Sequence, residues 1–292
     1  MRPMTVGFVG VLLAASVSAG EGPRVAAPTE RTVYVTVTAN DAPVPDLTAA
    51  DFVVKEGGKD REIVKAVPAT TPMRLALAVE ERLVADHNIR KAMFEFMKLM
   101  IERSQIALIT IGLRNNVVVD FTSSGEALVG GISKLSMNPP PDSAVAESIL
   151  DLSTRFIESK AERPVIVVIS FSGGQAGVAP RAVLDKLRDS GALMHSITIS
   201  GSTQVTPLGS MSDQSGREQV LGDGPKQSGG RRIEVTSTLQ ILRATQQIAA
   251  DLGSQYAITY TLPDGVKPDR RFNVTVKRRG TSVRAPSQIP DR

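Results

Sequence analysis

The run Leu75-Ala76-Leu77-Ala78-Val79 is apolar at every position and ends abruptly in Glu80-Glu81-Arg82-Leu83-Val84. A strand with one wet face alternates polar and apolar residues, so an unbroken run predicts a strand covered on both faces. Ile106–Ile111, Val165–Ile169 and Leu193–Ile199 are mainly apolar in the same way. Between these runs the period changes. Ile89, Ala92, Met93, Phe96, Met97 and Met100 form one helical stripe, with Asp86 placed to cap its start. Ile149, Leu152 and Phe156 mark a second helix from about Val145, and Pro180 and Gly191 bracket a third. Buried strands alternating with helices predict an α/β domain with a doubly wound, mostly parallel sheet of Rossmann type. Val117–Phe121, after the short turn Arg114-Asn115-Asn116, is expected as an antiparallel edge strand.

The two flanks read differently. Thr32–Thr38 places Val33, Val35 and Val37 on one face, Phe52–Glu56 is extended, Gly57-Gly58 turns, and Glu62–Val67 returns. At the other end Tyr256–Leu262 is extended, Pro263-Asp264-Gly265 turns, and Phe272, Val274 and Val276 share a strand face. Neither segment is long enough to bury a face alone. The N-terminal β segment (31–70) and the C-terminal one (255–286) are therefore expected to pair, with the α/β domain (71–254) inserted between them. Within that domain Gly201–Arg232 is rich in Gly, Ser, Gln and Pro and reads as a mobile loop. Arg232–Val235 is expected as a last edge strand, before a helix carrying Ile241, Thr245, Ile248 and Leu252.

Met1–Ala19 has the form of an export signal: Arg2, the short apolar core Val6–Ala15, and Val17-Ser18-Ala19 before the cut. The mature chain is expected to begin at Gly20, with Gly20–Glu30 as a linker, and to be periplasmic or extracellular. A membrane span needs about 20 apolar residues, and Glu21 ends this stretch too early. With no cysteine there is no disulfide framework and no thiol catalysis. Aromatic residues make up 4% and Trp is absent, while Lys plus Arg (34) only slightly exceed Asp plus Glu (30). A chain of that composition offers neither base-stacking platforms nor a concentrated basic stripe, which argues against a nucleic-acid partner.

The order of these elements resembles a von Willebrand factor A (VWA) domain. The flanks resemble bacterial VWFA-related proteins, through Val35-Thr36-Val37-Thr38, Leu47-Thr48-Ala49-Ala50-Asp51-Phe52 and Glu56-Gly57-Gly58-Lys59 at the front. Ile248, Leu252, Gln255-Tyr256 and Tyr260 match at the back. The resemblance covers roughly residues 31–285 and rests on the order of motifs. It implies a ligand face at the carboxyl ends of the strands, where metal-binding members place Asp-x-Ser-x-Ser, a Thr and a second Asp around a divalent cation. Those positions fall here at Glu80, Arg82, Val84, Ser143 and Ser172. Magnesium wants near-octahedral oxygen ligands, and Arg82 and Val84 supply none. A guanidinium about 4 Å from a divalent ion is repelled by about 8 kcal/mol at an effective dielectric near 20. The metal-ion-dependent adhesion site is thus read as degenerate, with no metal and no cofactor expected.

No catalytic residues emerge. Glu80 and Glu81 are adjacent on a strand and point to opposite faces. Ser172 precedes Gly173-Gly174, but a nucleophile elbow needs Gly-x-Ser-x-Gly and Ser170 occupies the first glycine's place. His87 and His195 are too isolated for a zinc site. The expectation is a non-enzymatic, exported adhesion-type module that takes a protein partner around Glu80, Arg82, Val84, Ser143 and Ser172. The alternative is a cell-envelope hydrolase with an unrecognised active site.

Overall fold

The apolar run Leu75–Val79 lies at the centre of a six-stranded sheet in a computed structural model. The structure describes residues 29–137, 143–172, 177–200 and 211–291, with 211–215 given by backbone alone. The expected signal peptide, the linker up to residue 28 and residues 201–210 lie outside the described residues. The N-terminal β segment comprises β1 (Thr29–Ala39), β2 (Ala42–Pro43), β3 (Phe52–Glu56), β4 (Lys59–Arg61) and β5 (Ile63–Pro68). There follow β6 (Met73–Glu80), α1 (His87–Met100), β7 (Ser104–Ile111), β8 (Asn115–Thr122), α2 (Gly125–Ser133) and α3 (Val145–Glu158). Next come β9 (Pro164–Phe171), α4 (Pro180–Ser190), β10 (Leu193–Ile199), α5 (Met211–Ser228), β11 (Arg232–Val235) and α6 (Ile241–Gly253). The chain closes with β12 (Tyr256–Leu262), β13 (Phe272–Val276) and β14 (Ser282–Arg284).

The six-stranded sheet has the order β11-β10-β9-β6-β7-β8. Its pairings are parallel from β11 through β7, and β8 joins antiparallel at the edge. Alternate side chains of β6 enter separate cores. Leu75, Leu77 and Val79 pack with Ile89, Phe96 and Met97 of α1 and with Ile241 and Ile248 of α6. Ala76 and Ala78 pack with Ile149 and Phe156 of α3, Val183 and Leu187 of α4, and Val220 and Leu221 of α5. The period of two thus divides large residues to one side and alanines to the other. The Asp86 carboxylate caps α1 by accepting from the Asn88 and Ile89 amides.

The expectation of a mobile loop over 201–232 is corrected by α5, which occupies Met211–Ser228. The segment shows little amphipathic pattern because its buried positions mix Val220 and Leu221 with Gly216, Arg217, Gly224 and Pro225. Gly224 lets the helix approach β10, where an added Cβ would lie 2.6 Å from the Met194 sulfur. Pro225 sits inside the helix and has no N–H for the Leu221 carbonyl one turn back. That carbonyl accepts instead from the Ser196 hydroxyl of β10 at 2.8 Å. Tertiary contacts therefore override weak local propensity. Ser196→Ala is expected to leave the carbonyl buried and unpaired, lowering stability by about 1–3 kcal/mol in urea unfolding.

The β segments form two facing sheets. One has the order β14-β1-β12-β5, with β2 paired to β1, and the other β13-β3-β4. β1 pairs β12 from Thr29↔Leu262 to Val35↔Tyr256, and β13 pairs β3 from Phe272↔Glu56 to Val276↔Phe52. Val33, Val35, Val37, Val54, Ile258 and Val274 share the core between them. Phe52–Tyr256 and Tyr260–Phe272 each pack as tilted ring pairs with centroids 5.6 Å apart. Ion pairs join this layer to the α/β part: Asp251 of α6 meets Arg284 of β14 at 2.6 Å, and Arg231 meets Asp41, after β1, at 3.2 Å.

Candidate functional site at the carboxyl ends of the strands

Glu80 is the last residue of β6 and is fully buried. Burying a carboxylate is tolerable only if it is paired and hydrogen-bonded. Here both oxygens are saturated. Oε1 accepts from Arg82 Nε at 2.8 Å, Arg82 Nη2 at 2.6 Å and the Ser143 hydroxyl at 2.8 Å. Oε2 accepts from the Phe171 amide and from Arg217 Nη2, each at 2.8 Å. Arg217, from α5, is itself fully buried, and it also donates to the Phe171 carbonyl at 2.9 Å. Its Nη1 lies 3.4 Å from Ser143 Oγ.

Burial alone would raise the Glu80 pKa, but Arg217, Arg82 and the Phe171 amide outweigh it and hold the carboxyl below its ordinary value. Two guanidiniums on one carboxylate leave the cluster with a net positive charge. Arg82 is the exposed member, its side chain 23% accessible, and its guanidinium lies 4.9 Å over the Phe171 ring. It uses its Nε–Nη2 edge on Glu80. The Nη1–Nη2 edge has no protein partner among the described residues.

Among the described residues the donors around Glu80 do not suit a divalent cation. Glu80, the carboxylate that ends β6, has its lone pairs taken, and Arg217 already supplies a cation against it. Among the described residues no cluster of three or more His, Asp or Glu is placed to hold a metal.

Of the residues singled out from the sequence, the structure brings Glu80, Arg82 and Ser143 into one hydrogen-bonded cluster. Ser172 follows β9, its amide donating to the Ile199 carbonyl at 3.1 Å, and it is not bonded to Glu80. The assignment of Val84 to the binding face is corrected. It is fully buried in the α1–α6 core, and its carbonyl accepts from Arg90 Nε at 2.5 Å. Sequence reasoning missed Arg217 altogether. The signal that could have found it is the helical spacing Arg217, Val220, Leu221, Gly224, with glycine counted as a core-facing residue.

Neither histidine is hydrogen-bonded to Ser143 or Ser172 among the described residues. His195 accepts at Nδ1 from the Arg231 amide at 3.1 Å. Burial, with Arg284 and Arg231 nearby, pushes its pKa down to about 3.

Three of the most exposed large apolar side chains sit on connections around the same sheet end. Leu113 follows β7, Leu239 follows β11, and Met137 lies between α2 and α3. The Met137 sulfur is 3.1 Å from Arg90 Nη2, whose Nε reaches the β6 exit at Val84.

No family model and no curated protein matches the chain. Solved structures do. Proximal thread matrix protein 1 from the mussel byssus aligns over 73% of this chain and 50% of its own length, with 13% identity and a TM-score of 0.49. The vWF domain of the type V pili tip protein Mfa5 from Porphyromonas gingivalis aligns over 63% and 96%, with 12% identity and a TM-score of 0.47. BatB from Bacteroides thetaiotaomicron aligns over 62% and 98%, with 12% identity and a TM-score of 0.44. The chain thus spans half the length of the byssus protein and nearly all of the two bacterial domains.

Proposed function

We propose that this chain is an exported, non-enzymatic protein-binding module with a VWA-like, doubly wound α/β domain. In this reading its carboxyl-end face has exchanged a bridging metal for built-in guanidinium charge. The observation that carries the reading is the buried Glu80 held by Arg217 and Arg82, with the outer edge of Arg82 unpaired among the described residues. Open α/β sheets present ligands to this end, where the loops leaving the strands converge. An arginine edge takes a partner carboxylate by two parallel hydrogen bonds, the contact a metal would otherwise bridge. Leu113, Met137 and Leu239 supply the apolar ground that protein interfaces add around a charged anchor. The partner is therefore a protein surface with an exposed Asp or Glu beside apolar side chains.

The test is capture of a partner from the envelope fraction by the full chain. Arg82→Ala is expected to weaken its retention about tenfold or more, as loss of a charge-assisted pair does. Lys65→Ala, an exposed change on β5, is expected to leave it unchanged, and so is chelator or millimolar magnesium. Equal loss from both substitutions, or loss on chelation, would overturn the reading.

A further inference from the structure

At the opposite end of the six-stranded sheet a cavity of about 380 Å³ lies where β1 and the 286–290 tail meet the amino ends of β9 and β10. That volume falls in the range of small-ligand pockets, about 300–1,000 Å³. Val33, Val165, Leu184, Leu187, Leu193 and Ile289 give it apolar walls.

Three arginines line this cavity, and two are neutralised. Arg31 pairs with Glu56 at 2.7 Å, and Arg188 pairs with Asp185 at 2.6 Å and Asp189 at 2.8 Å. Arg163 has no carboxylate partner among the described residues, although it is only 4% exposed. Carbonyl oxygens hold it: Thr71 at 2.7 Å, Leu252 at 3.3 Å and the Gln255 side chain at 2.8 Å. Its guanidinium lies 4.7 Å over the Tyr34 ring. Arg163 Nε and Gln255 Nε2 are both buried donors without a hydrogen-bond partner among the described residues. A buried cation without a counter-charge is costly, and burial pulls the Arg163 pKa down to about 10. An uncompensated guanidinium beside an apolar cavity describes a site for an anion with an apolar body.

We infer that this cavity binds a small apolar monocarboxylate, such as a medium-length acyl or aromatic acid, with its carboxylate against Arg163 and its body along Val33, Val165 and Leu184. Glu30 and Glu162 at the rim are exposed. Water screens them from a single charge, while they disfavour a dianion. Because the walls come from both β1 and β9–β10, the ligand bridges the β layer and the α/β part.

The test titrates the full chain with octanoate, 1-octanol and octylamine, three probes of one chain length that differ in head-group charge, by calorimetry and thermal melting. Octanoate is expected to bind and raise Tm, with octanol at least tenfold weaker and octylamine without effect. Arg163→Gln is expected to remove the preference for octanoate over octanol. Leu184→Trp, which fills the cavity and leaves Arg163 intact, is expected to abolish binding of octanoate and octanol while far-UV circular dichroism stays native. The inference is overturned if the three probes bind equally, if none binds, or if octanoate binds folded Leu184→Trp as well as the parent chain.

Discussion

Arg217→Met is expected to destabilise the protein by roughly 3–5 kcal/mol, the usual consequence of removing one partner from a buried ion pair. Methionine keeps much of the side-chain volume, so packing in α5 is largely retained. The loss is electrostatic: Glu80 keeps Arg82, which is partly exposed, and the Phe171 carbonyl loses a donor at 2.9 Å. If the cost is the orphaned charge, removing Glu80 as well should restore most of it. The double variant Glu80→Leu/Arg217→Met is therefore expected to be markedly more stable than Arg217→Met alone in urea unfolding. Additive losses would show that Arg217 acts through packing. The pH dependence carries the same sign. The folded pKa of Glu80 lies below its ordinary 4.5, so its contribution is complete above that value. It is lost as pH falls through the folded pKa. Glu80→Gln should remove that part of the acid sensitivity and leave the part due to His195. The His195 part runs from 6.5 down to about 3, because the unfolded chain binds the proton first.

The elements legible in the sequence are those whose hydrophobic period matches their geometry. β6 announced itself because both faces are buried, and α1 because Ile89, Ala92, Met93, Phe96, Met97 and Met100 are all inward. α5 was illegible for a physical reason. Its inward positions include Arg217, Gly224 and Pro225 beside Val220 and Leu221, so its helical spacing shows only when glycine is counted as core-facing, and the Ser196 contact leaves no trace in the sequence. Arg217 was hidden with it, since an arginine within a Gly- and Ser-rich stretch reads as solvated. The site was therefore half legible. Glu80, Arg82 and Ser143 follow from the exits of recognisable elements. The second cation comes from a helix that only the fold reveals. Val84 was misplaced because the chain turns directly after Glu80, through a short 3-10 turn at Glu81–Leu83 that points Val84 back into the core.

Deleting residues 31–67 is expected to abolish protection of β12 and β13 altogether. β12 lies between β1 and β5, so the deletion strips hydrogen-bonding neighbours from both of its edges, and β13 loses β3. Tyr256, Ile258, Tyr260 and Phe272 would lose the side chains they pack against. Glu56 ties the layer together at one point. Fully buried at the end of β3, it accepts from Arg31 of β1 at 2.7 Å, the Tyr260 hydroxyl of β12 at 2.8 Å and the Asp269 amide at 2.9 Å. Glu56→Ala should reproduce part of the deletion, costing roughly 3–5 kcal/mol, since it takes a carboxylate partner away from a mostly buried arginine and from a buried phenol. Hydrogen exchange reads both effects on one scale. In the deletion, amides of Tyr256–Val276 should exchange at the rate of an unfolded chain, while those of β6 and β9 stay slower. Slow exchange in Tyr256–Val276 after the deletion would show that the C-terminal segment folds without its N-terminal partner, against the cross-strand register that places Val35 opposite Tyr256.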